Sequence, residues 1–177
     1  MPFIAHRDLA HRTRIACVVA ASAAACLVVT APAIAVTTIP LPAPLACPDL
    51  NLELDIGDDS KRNTRTFEDR DGNTVVLTTG AAESVVVTNV DTRESVTAPA
   101  RGARTRTTTA ADGTTTTTHT GHLLLVLFDT DLGGAGLPPS STTLITGRTV
   151  YTVDKGGIFT VQRVNGKTTD ICAELRP

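Results

Sequence analysis

Hydrophobic residues are distributed along this chain in two different patterns. Residues 15–29 are almost uninterruptedly apolar, whereas after Cys47 the apolar residues form short runs or alternate with polar ones. Residues 50–56 alternate strictly, which is the period of a strand with one buried face. The longest later run, residues 123–128, is too short for a helix and lies between Gly121 and Asp129. We therefore predict a fully buried strand at this run.

Turn-forming residues separate the other predicted strands. Asp71-Gly72 and Asp112-Gly113 are hairpin signals, because these residue types tolerate positive φ angles. We predict separate strands on the two sides of Gly121 and on the two sides of Gly147. A further predicted strand covers residues 158–164, and Asn165-Gly166 predicts the turn that follows it.

The strand content defines the predicted fold class. About eight to ten short strands with turns roughly every ten residues fit an antiparallel sandwich or barrel. No helical segment is long enough to connect parallel strands. Residues 169–175 fit a last strand or one helical turn capped by Thr169 or Asp170, and their composition favours the helix. We predict an all-β fold: a single antiparallel β-sandwich or barrel-like domain over residues 47–177, after an N-terminal signal helix.

The N-terminal apolar segment predicts export. Three arginines precede it, and Ala33 and Ala35 occupy the −3 and −1 positions of a cleavage site. This order is typical of a secretory signal peptide over residues 1–35, which would contact the membrane only transiently. The alternative is an uncleaved leader that anchors the protein at the cell surface, since residues 15–36 are long enough to span a bilayer. Residues 36–46 carry three alternate prolines and predict an extended linker.

Removal of the leader would leave two cysteines, Cys47 and Cys172. An even number in an oxidising compartment predicts one disulfide, which would link the two ends of the domain. A redox or metal pair is the less favoured alternative, because neither cysteine has a second cysteine nearby in sequence. Lipidation of Cys26 or Cys47 is also less favoured, because neither follows a standard lipobox.

Composition and charge narrow the range of functions. Aromatic residues make up only 3% of the chain, which argues against sugar-binding platforms and against base stacking, so we predict no nucleic-acid partner. Without three leader arginines and Asp8, the 16 basic and 18 acidic residues become 13 and 17, a net charge of −4. The local exception is a basic cluster of Arg101, Arg104 and Arg106. This cluster could bind an anionic cell-wall polymer or lipid, or it could simply protect a solvated sheet edge.

Candidate chemistry is confined to residues 119–139. Asp129, Asp131 and His122 are weak candidates for metal ligands, because carboxylate and imidazole groups near a glycine-rich loop can coordinate cations. His119 and His122 would point to opposite faces of a regular strand, and they share a site only if the chain bends at Gly121. No serine lies in a Gly-x-Ser-x-Gly motif, and we predict no catalytic residues and no cofactor.

The leader, the Thr, Val and Arg bias, the run Gly-His-Leu-Leu-Leu-Val-Leu-Phe-Asp-Thr-Asp and the ending Thr-Thr-Asp-Ile-Cys-Ala-Glu-Leu resemble small secreted actinobacterial proteins of uncharacterised function. That resemblance carries no catalytic residues over. We predict a secreted or cell-envelope binding or structural module without catalysis, whose partner would be a cell-wall component or an extracellular protein. The alternatives are an extracellular hydrolase or hydrolase inhibitor that uses residues 119–139, and a membrane-tethered envelope protein.

Overall fold

The computed structural model describes residues 36–57, 61–99 and 102–177, and these residues form an antiparallel β-sandwich, which confirms the predicted all-β fold class. In chain order the elements are β1 (Thr37–Leu41), β2 (Leu52–Ile56), β3 (Lys61–Glu68), β4 (Thr74–Ala81), β5 (Val85–Asn89), β6 (Ser95–Ala98), β7 (Ala103–Thr109), β8 (Thr115–Leu127), β9 (Ser141–Val153), β10 (Phe159–Asp170) and α1 (Ile171–Glu174). The predicted leader, including Ala33 and Ala35, lies outside the described residues.

Two sheets pack against each other. The small sheet has the order β1-β2-β5-β6, and the large sheet has the order β10-β9-β8-β7-β4-β3. The segment predicted as an extended linker contributes β1, which pairs with β2 from Thr37 to Leu41. Its Pro40 is tolerated there because β1 is an edge strand, where a missing N–H donor breaks no hydrogen bond on the open side.

Each of the three longest strands continues without interruption through a position at which the sequence predicts a break. β8 continues through Gly121, β9 through Gly147 and β10 through Gly166. These glycines are paired side by side, Gly121 with Gly147 and Gly147 with Gly166. The predictions of separate strands around Gly121 and Gly147, and of a turn at Asn165-Gly166, are therefore wrong.

A fourth glycine extends this line across the large sheet. Gly80 of β4 pairs with Ala103 of β7. The neighbouring residue Arg104 pairs with Thr120 of β8, which precedes Gly121, so Ala103 lies beside Gly121. We call Gly80, Gly121, Gly147 and Gly166 the glycine row. Their φ angles lie between 121° and 152°, a region that residues with a Cβ rarely adopt. A Cβ at any of them would lie less than 3.0 Å from a backbone oxygen of the chain beside it.

The large sheet changes direction at the glycine row. Ile145 pairs with Thr168, and Val161 lies seven residues from Thr168 along β10. In a flat sheet this separation would be about 23 Å, because a strand rises about 3.3 Å per residue. Ile145 and Val161 nevertheless belong to one buried cluster, which also contains Leu125 and Leu127. We call it the bend core.

A second buried cluster lies between the two sheets. It joins Leu52, Leu54 and Val87 of the small sheet to Ile171 and Leu175 at the C-terminus. Leu124, Val126 and Leu144 of the large sheet pack against it. We call this cluster the sandwich core.

The sandwich core contains the predicted disulfide. Cys47 and Cys172 are bonded with a Cα–Cα distance of 5.8 Å across 125 positions of sequence, and both are buried. Helix α1 places Cys172, and its N-cap is Asp170, whose carboxylate accepts a hydrogen bond from the Ala173 N–H at 3.1 Å. The prediction that a helical turn follows the last strand is confirmed.

The C-terminus is held by polar contacts as well. The buried amide of Asn89, at the end of β5, donates a hydrogen bond of 2.9 Å to the backbone oxygen of Leu175. Its side-chain oxygen accepts from the Asp91 N–H at 2.9 Å. At the surface, Arg176 forms a bidentate pair with Asp49, and this hydrogen bonding lowers the pKa of the Asp49 carboxyl.

Candidate ligand-binding cavity

A cavity of about 370 Å³ lies where the glycine row meets the small sheet. Its apolar lining comes from both sheets and consists of Val85, Ala98, Pro99, Leu123, Leu124 and Leu144. Its ionisable and aromatic lining consists of Arg62, Glu83, His119, His122 and Tyr151. The volume falls within the range of pockets that bind small molecules.

Gly121 explains how two histidines three positions apart reach one cavity. His119 precedes Gly121 on β8 and His122 follows it, and regular alternation would place their side chains on opposite faces. Gly121 has a φ angle of 121°, and both histidines line the cavity. This is the bend that a shared histidine site requires.

His119 is held in a defined orientation and tautomer. Its Nε2 lies 2.9 Å from the backbone oxygen of His122, which can only accept, so Nε2 carries the proton and donates it. Its Nδ1 lies 3.1 Å from the Thr105 hydroxyl, which donates to the unprotonated ring nitrogen. Burial lowers the pKa of His119 below its ordinary value of 6.5, and the positive charge of Arg62 lowers it further, so the ring is neutral at neutral pH.

The other ionisable and aromatic side chains of the cavity differ in the interactions that they already make. Arg62 and Glu83 form an ion pair with each other. The ring of Tyr151 stacks on Phe159 with centroids 4.6 Å apart. Within the described part of the chain, the imidazole of His122 has no hydrogen-bond partner. His122 therefore has free hydrogen-bonding capacity in the cavity.

The weak metal candidates do not come together. His122 lines the cavity, whereas Asp129 is exposed in the segment after β8. The Asp131 carboxylate accepts a hydrogen bond of 2.7 Å from the Phe128 N–H, so it closes the turn after the strand. Over residues 36–57, 61–99 and 102–177, no group of three or more His, Cys, Asp or Glu side chains could hold a metal ion.

The predicted basic cluster lies on a different surface. Arg104 and Arg106 are exposed on β7, two positions apart, on the face of the large sheet that points away from the cavity. Arg101 lies outside the described residues. Strand pairing brings three further arginines to this face, Arg65, Arg148 and Arg163. Sequence reasoning missed them, because they are distant in sequence and only the strand register places them together.

Comparisons with known proteins identify no relative of this chain. No protein-family model, no curated protein and no solved structure matches this chain. The described residues contain no helix with the length and hydrophobicity required to cross a membrane.

Proposed function

We propose that the protein is an exported, non-catalytic binding module of the cell exterior or cell envelope, and that the cavity at the glycine row is its ligand site. Export is supported by the leader pattern of residues 1–35 and by the disulfide, which is stable in oxidising compartments and rare in the cytosol. The alternative of an uncleaved leader would tether the same binding module to the membrane.

The observation that carries the binding function is the composition of the cavity. Leucines 123, 124 and 144 provide an apolar wall, and a free imidazole at His122 adds a hydrogen-bonding group. Small-molecule sites have this character, a mostly apolar surface with a few polar groups that fix the orientation of the ligand.

Charge in the cavity selects the class of ligand. Arg62 and Glu83 neutralise each other, and His119 is uncharged at neutral pH. Apart from His122, the ionisable side chains of the cavity are paired or neutral, so a charged ligand would gain little compensation for its desolvation. The cavity therefore favours a small, mainly apolar molecule with one uncharged hydrogen-bonding group.

The arrangement around His119 supports a structural role for this residue. Side-chain hydrogen bonds between paired residues of neighbouring strands recur in the large sheet. Two of them join threonine hydroxyls, Thr64 with Thr78 at 3.2 Å and Thr107 with Thr117 at 3.0 Å. The bond between Thr105 and His119 is one more contact in this series. With one ring nitrogen bonded to Thr105 and the other to the His122 backbone oxygen, His119 presents no free ring nitrogen to a ligand in the cavity.

An extracellular hydrolase is the second candidate function, because one feature of the cavity favours it. Thr105, His119 and the backbone oxygen of His122 form the sequence of hydroxyl, imidazole and orienting acceptor that nucleophilic enzymes use. In a hydrolase, an activated-ester or fluorophosphonate probe would add its mass to Thr105, and Thr105→Val would abolish the addition. The binding module predicts no adduct.

Titration with a neutral amphiphile tests the binding function. The probe is 1-octanol, added to methyl-labelled protein and followed by NMR, with octanoate and octylamine as charged probes of the same length. We expect saturable shifts of the Leu123, Leu124 and Leu144 methyl signals with 1-octanol and weaker shifts with the charged probes.

A pair of variants controls this titration. Ala82→Leu places a larger side chain in the cavity lining and should abolish the shifts, whereas Ala111→Leu makes the same change at an exposed turn and should preserve them. Shifts that persist unchanged in Ala82→Leu, or no saturable shift in the unmodified protein, would refute the cavity as the ligand site.

A further inference from the structure

The outer face of the large sheet is a continuous basic surface. We define it as the side chains that point away from the cavity on β3, β4 and β7–β10, between the hairpin turns and the glycine row. Residues directly opposite each other on neighbouring strands share a face, so the register assigns its members. One row of pairs runs from Arg65 through Arg106 to Arg163, and the next row runs from Arg104 to Arg148.

All five arginines are exposed, and no carboxylate balances them on the outer face. The remaining positions of this face, all of which are described, are threonine, asparagine, glutamine and apolar residues, with no Asp or Glu. The ion pairs of the described residues use Arg62 and Arg176, which lie elsewhere. The acidic side chain that interacts with this face is Asp69 in the β3–β4 turn, which Arg106 influences through its charge.

The charge of the outer face is opposite in sign to the net charge of the protein. Residues 36–177 carry a net charge of −4, which by itself disfavours binding of polyanions. The acids are concentrated in turns and on the small sheet, so the outer face is locally positive by five charges. A local potential of this kind attracts an anionic partner regardless of the overall sign of the protein.

The arginines are far enough apart to contact separate anionic groups. Arg104 and Arg106 are about 7 Å apart along β7, from a rise of about 3.4 Å per residue. Arg65 and Arg106 are two strands apart, or about 10 Å, and Arg106 and Arg163 are three strands apart, or about 14 Å. A polyanion that crosses the strands can therefore contact Arg65, Arg106 and Arg163 in turn, with Arg104 and Arg148 in the neighbouring row.

We propose that the outer face binds a linear polymer of phosphodiester-linked polyol units. The arginine guanidinium group matches a phosphate oxygen pair with two parallel hydrogen bonds. The threonine hydroxyls between the arginines can donate to and accept from the hydroxyls of the polyol. This binding does not depend on the cavity, which lies on the opposite face of the sheet.

Two other polyanions fit this face less well. Single-stranded nucleic acid gains much of its affinity from base stacking on aromatic side chains, and the aromatic residue of the outer face is Phe67 alone. An anionic bilayer is bound most firmly when apolar groups insert beside the basic ones, and Phe67 is also the large exposed hydrophobic side chain available for that.

Binding of purified poly(glycerol phosphate) tests the proposal. With calorimetry at several salt concentrations, we expect log K to fall linearly with log salt at a slope of about −3.5, because each neutralised phosphate contributes about −0.7 on a flexible chain. The double variant Arg104→Gln, Arg148→Gln should reduce the slope to about −2 and weaken binding at every salt concentration.

The control variant is Arg93→Gln, which removes one positive charge from the β5–β6 turn and should leave the slope unchanged. Ala82→Leu should also bind the polymer normally, so failure of the cavity function and failure of this proposal are distinguishable. Equal affinity and slope in the double variant and the unmodified protein would overturn the proposal. Tighter binding of single-stranded DNA or of anionic phospholipid vesicles than of poly(glycerol phosphate) would overturn the assignment of the partner.

Discussion

The two hydrophobic cores of this protein are held together by different means. The sandwich core joins distant parts of the chain, and the Cys47–Cys172 disulfide, helix α1 and the buried Asn89 side chain all close it. The bend core is built within β8, β9 and β10 and the loop after β8, and it exists because these strands change direction at the glycine row.

The two cores compensate in different ways for the small number of aromatic side chains. With aromatic residues at only 3%, neither core can rely on large side chains, which usually dominate buried area. The sandwich core compensates with a covalent link that restricts the unfolded chain. The bend core compensates with backbone geometry, because a sharp bend lets one sheet cover part of its own face. The cavity lies beside that bend, so the same glycines that complete the core also create the candidate site.

Substitution in the glycine row should have the largest effect. In Gly147→Ala the new Cβ would clash with the backbone oxygen of Asn165 at a φ of 152°. We expect a loss of about 4 kcal/mol or more in the free energy of unfolding, measured by urea denaturation. Gly157→Ala is the control: its φ is 86° but no atom lies within 4 Å of the new Cβ, so strain alone should cost about 1–2 kcal/mol. Equal losses in the two variants would show that the bend does not depend on close backbone contact.

Removal of the disulfide should have the next largest effect, and a local one. We expect Cys47→Ala, Cys172→Ala to lose about 3 kcal/mol, within the usual range of about 2–5 kcal/mol for a native disulfide. Hydrogen exchange should show the loss of protection concentrated in β1, β2 and α1, with β8 and β9 near the glycine row less affected. Uniform loss of protection would mean that the two cores unfold as one unit.

Asn89 tests the polar closure of the sandwich core. Asn89→Ala removes the donor to the Leu175 backbone oxygen and leaves buried groups without partners. We expect a loss of about 2 kcal/mol in thermal or urea unfolding, because an unsatisfied buried polar group costs about 1–3 kcal/mol. Thr88→Ala, on the neighbouring half-buried position of the same strand, is the control and should cost less.

Substitution of His119 should have the smallest effect, and this effect should appear as a change in the pH dependence of the free energy of unfolding. Its pKa is below 6.5 in the folded protein because of burial, so just below pH 6.5 the unfolded chain binds more protons than the folded one. Stability should therefore fall as the pH decreases through 6.5 towards the lower pKa of the folded protein. His119→Gln keeps a donor for the His122 backbone oxygen but does not titrate, so its stability should change less across this interval. An equal pH dependence in both proteins would assign it to other groups.

Much of the fold can be predicted from this sequence, because its determinants are local. Alternation over residues 50–56, the Asp-Gly hairpins and the capping residue Asp170 all act within a few residues of themselves. The disulfide is predictable for a different reason: once the leader is set aside, Cys47 has only Cys172 as a partner.

The glycine row and the outer face could not be predicted, because both depend on strand register. Asn165-Gly166 has the composition of a hairpin turn, yet Gly166 adopts a φ of 147° within a continuous strand. Nothing in the sequence near Gly121, Gly147 and Gly166 indicates that they lie side by side. The same holds for Arg65, Arg148 and Arg163, which lie on three strands far from the predicted cluster at Arg104 and Arg106.

Export in a disulfide-linked form is the central claim, since both proposed binding surfaces would serve a protein outside the cell. The most direct measurement is the intact mass of the protein recovered from culture medium, with and without reduction before thiol alkylation. We predict a chain that begins at Val36 and gains two alkyl groups only after reduction. Absence of the protein from the medium, or alkylation of both thiols without reduction, would contradict the account.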